Sequence, residues 1–278
     1  MPRRLTRWIV AAGIAAALLI PTVIGAVYVS PTALFLDDDN RNGQLTVGNR
    51  GTEAEEVSIE LRFGFVDADS SGTPFIRFID DPGPEFPSAT EWLGVYPQRV
   101  RLAPGEKRTV RVFARPPADL PNGEYWSRLI VSGRRAAIDV ATGDSLVRAG
   151  VNVEVRLVTS VTFRKGAVST GLTLHDIAAT PYADSLVVRT GMERRGTAAY
   201  LGTVYFEVLD QGGAIVREWA TPVSVHVSVT RRFVFPLEPL PPGTYTLRLR
   251  AETTRPDIAE ARVLPARTVT YAVPLTVE

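Results

Sequence analysis

Residues 120–125 read LPNGEY, and residues 240–245 read LPPGTY. The same Leu-Pro-x-Gly-x-Tyr element thus recurs 120 residues further along the chain. Each copy precedes an apolar stretch, Tyr125 to Val131 and Tyr245 to Ala251. Each follows an arginine-containing apolar strand, Arg108 to Phe113 and Arg231 to Phe235. A polar connection and a last alternating strand come next, Val151 to Phe163 and Val269 to Val277. A repeat about one domain long marks duplicated architecture, because solenoid units span only ~20–50 residues. A tyrosine opening the penultimate strand after a tight turn fits the sandwich corner, where its hydroxyl bonds back to upstream backbone. The pattern predicts an all-β chain of two immunoglobulin-like β-sandwiches, over 27–164 and 165–278, joined near Arg164 to Gly166.

Between the copies lies an unusually long alternating run, Val147 to Phe163 (VRAGVNVEVRLVTSVTF). Val147, Ala149, Val151, Val153, Val155, Leu157, Val161 and Phe163 occupy odd positions, and Thr159 breaks the series. Arg148, Asn152, Glu154, Arg156, Ser160 and Thr162 fill the even side, with Val158 as its apolar exception. Period two is the signature of a strand with one apolar and one polar face. Ordinary strands have ~5–6 residues, and the part from Val151 alone is about twice that. An unpaired edge of such a strand can be extended by a partner strand, main chain providing affinity and alternate side chains specificity. The same apolar face serves equally well as one wall of the domain's own core. Periodicity leaves both readings open.

Composition narrows the chemistry. The 278 residues are 45% hydrophobic and 22% charged, with 31 basic and 30 acidic side chains. A net charge of +1 without a basic block after the N-terminus argues against nucleic acid as a partner. Cysteine is absent, which removes disulfides, thiolate metal sites and cysteine nucleophiles together. Only His175 and His226 could serve acid–base or metal chemistry, and each reads as a surface or interface side chain. Phosphate loops, Gly-x-Ser-x-Gly and His-Glu-x-x-His are all missing, so the expectation is a non-enzyme without a cofactor. Asp37 to Asn40 resembles a calcium loop but lacks the closing glutamate, and reads as an exposed acidic turn.

Met1 to Arg7 is basic, Trp8 to Ile20 is apolar or small, and Pro21 precedes the small pair Gly25-Ala26. That is the layout of a secretory signal peptide over 1–26, the rival being an uncleaved membrane anchor. Further strands are expected at Val27 to Leu36, Gln44 to Gly48, Val57 to Phe65, Val95 to Leu102, Thr109 to Ala114 and Ala214 to Trp219. Val223 to Val229 alternates with Ser224, His226 and Ser228, which puts His226 on a polar face. Ala103-Pro104-Gly105-Glu106 has proline and glycine where a type II turn needs them.

Val29-Ser30-Pro31-Thr32, Leu45 to Asn49, Pro104 to Glu106 with Thr109 to Val112, Leu120 to Leu129, and Val151 to Arg164 occur in an order that resembles the periplasmic pilus (fimbrial) chaperones. The resemblance implies a periplasmic, non-enzymatic protein that caps pilin-like subunits by lending them a strand. An outer-membrane assembly platform would be the second partner. Val151, Val153, Val155 and Leu157 would enter the subunit's groove. The family's basic pair, which anchors the subunit's terminal carboxylate in the interdomain cleft, falls here on Ala33 and Ser160. Arg156, Arg164 and Lys165 remain as substitutes, and Arg164 also matches a family residue that braces the two domains. The competing reading is a structural or adhesive envelope module with no chaperone activity.

Overall fold

The computed structural model describes residues 27–135, 154–182, 184–237 and 240–277. Residues 1–26, expected to be a signal peptide, and the part of the long run from Val147 to Val153 lie outside these described residues. The chain forms two β-sandwiches in tandem.

The first comprises β1 (Val27–Ser30), β2 (Ala33–Asp37), β3 (Asn42–Asn49), β4 (Glu55–Arg62), β5 (Gly64–Ala68), β6 (Pro74–Phe78), β7 (Leu93–Tyr96), β8 (Arg99–Leu102), β9 (Lys107–Ala114), β10 (Gly123–Arg135) and β11 (Glu154–Lys165). Its sheets run β1-β3-β9-β7 and β2-β11-β10-β4-β8, with β5-β6 as a separate hairpin. The second comprises β12 (Thr170–Tyr182), β13 (Ser185–Gly196), β14 (Tyr200–Leu209), β15 (Ile215–Val225), β16 (Val229–Pro236), β17 (Gly243–Glu252) and β18 (Val269–Val277). Its sheets run β12-β13-β16 and β15-β14-β17-β18. Among the described residues no helix is long and apolar enough to cross a membrane.

Period-two patterning places the core. Leu45, Val47, Val110 and Val112 of one sheet meet Val57, Ile59, Leu129, Val131, Val161 and Phe163 of the other, all buried. Each such side chain contributes roughly 1.5–3 kcal/mol by leaving water. Phe163 also meets Trp92 edge to face at 5.1 Å. Phe163→Ala is therefore expected to cost about 3–5 kcal/mol, read as a lower denaturant midpoint.

Both sandwich corners form as the repeat predicts. Tyr125 donates its hydroxyl proton to the Pro121 carbonyl at 2.9 Å, and Tyr245 does the same to Pro241 at 2.9 Å. The type II turn also forms. Gly105 has φ +76°, and the Glu106 N–H reaches the Ala103 carbonyl at 3.0 Å.

Four strand boundaries differ from expectation, for local reasons. Val27 to Leu36 is two strands, because Pro31 has no N–H for a ladder and the chain crosses there from one sheet to the other. Val95 to Leu102 divides in the same way at Pro97. Val57 to Phe65 breaks at Phe63, whose ring leaves the sheet to join an aromatic cluster with Phe65 and Phe86. Strand β15 runs unbroken from Ile215 to Val225 and then stops, so residues 226–228 sit between strands. Alternation therefore does not apply to His226, which is buried rather than on a solvent face.

Candidate functional site

Strand β11 is the last of the first sandwich, and its two margins differ. Along one margin it pairs antiparallel with β10 over its whole length, from Gly123↔Lys165 to Arg134↔Glu154. Along the other it pairs with β2, in parallel, only from Ala33↔Ser160 to Asp37↔Arg164. Among the described residues no strand pairs with Glu154–Thr159 on that second margin. Backbone donors and acceptors along such an edge are a template for a further strand.

The odd side chains divide at the same place. Val161 and Phe163 are 0% exposed and belong to the domain's own core. Leu157 is half-buried against that core, and Val155 is half-buried. The core reading thus holds from Thr159 onward, and an accessible edge is left from Glu154 to Val158. Val151 and Val153 lie outside the described residues. Val158, the apolar exception on the even side, is 36% exposed and lines a cleft between the sandwiches.

That cleft has a volume of about 150 Å³ and includes Ala33, Ser160, Arg128, His226 and Arg255 in its walls. Ala33 pairs with Ser160, and Ser160 with Arg128, so the three form a row across adjacent strands. Arg128 is 5% exposed. Its Nε donates to the Gly64 carbonyl at 3.0 Å, and its Nη2 lies 3.3 Å from His226 Nε2. Burial pushes the guanidinium pKa down to about 10, so the group stays positive at neutral pH. Among the described residues no carboxylate pairs with it; Arg255, in contrast, is bound by Asp257 through two contacts at 2.7 and 2.6 Å.

The substitute cations named from the sequence are otherwise engaged. Arg164 donates from Nε to Glu124 at 3.0 Å and from Nη1 to the Arg262 carbonyl at 2.7 Å, with its guanidinium over the Phe35 ring. It braces the two sandwiches. Lys165 pairs with Asp38 at 3.1 Å. Arg156 pairs with Glu154 at 3.2 Å on the exposed surface. The Asp37–Asn40 turn is part of the same joint, since Asp37 also accepts from Arg262 at 3.0 Å. Among the described residues no group of three metal-ligating side chains occurs.

Glu124 is the hub of the joint, with a side chain 1% exposed. Its carboxylate accepts from Trp126 Nε1 at 2.8 Å, from the Ala199 N–H of the second sandwich at 3.0 Å, and from Arg164. Phe63, Phe65, Trp126 and Ala199 form a buried cluster around it, joined by Leu201 and Val227. Sequence reasoning missed both Glu124 and Arg128. One signal was there: Trp126 and Ile130 alternate with Leu129 and Val131, so β10 is apolar on both faces and must be covered on both. A charge inside such a strand has to be buried and partnered.

Solved fimbrial chaperones are among the structures similar to this chain. The YadV chaperone is 10% identical over 90% of this chain and 100% of its own, with a TM-score of 0.49. The Escherichia coli chaperone DraB is 16% identical over 80% and 88%, with a TM-score of 0.41. The Salmonella enterica complex of the SafA pilin with the SafB chaperone matches at 14% identity over 90% and 97%, with a TM-score of 0.40. No protein-family model and no curated protein matches the sequence.

Proposed function

We propose that this protein is an exported, non-enzymatic chaperone that binds a β-rich, pilin-like subunit by adding a strand to it along β11. The observation that carries this reading is the open margin at Glu154–Thr159, beside a cleft that holds a cation without a carboxylate. A client strand laid there would continue the main-chain hydrogen bonding of the sheet, with Val151, Val153, Val155 and Leu157 filling its groove. The division at 164/165, with the cleft between the two units, belongs to the same reading. For the client's terminal carboxylate the geometry favours Arg128 over Arg156, Arg164 and Lys165. Those three are already paired with carboxylates, whereas Arg128 has none among the described residues and stands in line with Ser160 and Ala33.

An outer-membrane assembly platform is the second partner of this reading. The outward face of sheet β1-β3-β9-β7 carries Lys107, Arg111 and the exposed Tyr96, and no acidic residue stands at its outward register positions. Such a face suits an acidic protein surface.

Hydrogen exchange separates this proposal from a plain adhesive or structural module. Amides on the open margin of 154–159 are expected to exchange fast in the free protein and to become protected with client bound. Those of 160–164, held on both margins, should be slow in either state. Uniform protection of 154–164 in the free protein would rule strand donation out.

A further inference from the structure

We infer that the docking of the two sandwiches onto each other is governed by the protonation of His226. This residue follows β15 in the second sandwich and is 4% exposed, with its ring edge-on to Trp126 of the first at 4.8 Å. Its Nε2 faces Arg128 Nη2 at 3.3 Å. A guanidinium can only donate, so His226 Nε2 must be the bare acceptor and the ring proton must sit on Nδ1. The joint as built therefore requires a neutral imidazole. Among the described residues Nδ1 itself has no hydrogen-bond partner.

Protonation would set an imidazolium against Arg128 in a buried contact. The other cation acting on the ring is Arg194 of β13, which also lies over Trp126. Cleft carboxylates offer no relief. Glu124 is occupied by Arg164, Trp126 and Ala199, and Asp257 by Arg255. Burial, then Arg128 and Arg194, holds the imidazole pKa well below its ordinary 6.5. The sign follows from linkage: undocked, His226 binds a proton near pH 6.5, and docked it does not. Docking is thus undiminished above that pH and weakens about tenfold per pH unit below it, until His226 titrates within the docked form. The inference shares Arg128 with the client reading, but it is tested on the free protein without client, so each can fail while the other holds.

Hydrogen exchange of the Glu124 and Ala199 amides reports docking, since each is bonded across the joint. Followed in the full chain from about pH 7.5 to about pH 5 and corrected for intrinsic exchange, their protection should fall about tenfold per pH unit below ~6.5. His175→Gln, at the other and exposed histidine, should leave that fall intact. His226→Gln keeps an acceptor for Arg128 but takes no proton, and should abolish it. A flat wild-type profile, or the same fall in His226→Gln, overturns the inference. Should His226→Gln fail to fold, imidazole NMR of the wild type decides. A neutral, Nδ1-protonated His226 at about pH 6.5 supports it; a charged His226 in the docked protein at that pH overturns it.

Discussion

Val153→Asp combined with Val155→Asp is expected to abolish client capture while the protein stays folded. Val155 is half-buried near the open end of β11, so a carboxylate there can reach water in the free protein. In a client groove it cannot. Each valine would forgo roughly 1.5–3 kcal/mol of burial, and a buried carboxylate adds a desolvation penalty. Together the loss of affinity is at least about a thousandfold, because each 1.4 kcal/mol is about tenfold. The check is recovery of co-purifying β-rich subunits with wild type and variant from the native envelope, alongside denaturant midpoints for both. Equal recovery from a folded variant would sink strand donation. Val161 and Phe163 cannot serve for this experiment, since they are wholly inside the core and aspartate there would unfold the domain.

The second large effect belongs to Glu124. Glu124→Ala removes the acceptor for Trp126 Nε1, the Ala199 N–H and Arg164 in one step. Breaking a buried ion pair by deleting one partner costs about 3–5 kcal/mol, because the remaining charge is left uncompensated. The expected result is a destabilisation of that size in denaturant unfolding, with loss of protection at Ala199. Glu124→Gln, which still accepts from Trp126 and the Ala199 amide, should cost clearly less. Equal losses in the two variants would mean that the charge facing Arg164 carries the whole effect and that the bonds from Trp126 and Ala199 contribute nothing.

These two experiments address features that were unequally legible. Periodicity around Val155 is local, and from it the strand and its apolar face were read directly. Which part of that face is core was not readable. Ser160 to Arg164 have their second margin closed because β2, more than a hundred residues earlier, pairs there through Ala33–Asp37 and stops. The corners were legible as well, because Leu-Pro-x-Gly-x-Tyr contains both the turn and the hydroxyl that closes it. His226 was placed wrongly by the same alternation rule, since the strand ends one residue before it.

By itself, then, the sequence determined the all-β class, the two-fold repetition, the turns and corners, and the apolar side of β11. Each of these depends on residues a few positions apart, where propensity and spacing act alone. Only tertiary structure decided which margin of β11 is open, that Arg164 and Lys165 are spent on the joint, and that Arg128 meets His226 across 98 positions of chain. Edges and buried charges are defined by what packs on them, and no local pattern records a partner supplied by another sheet.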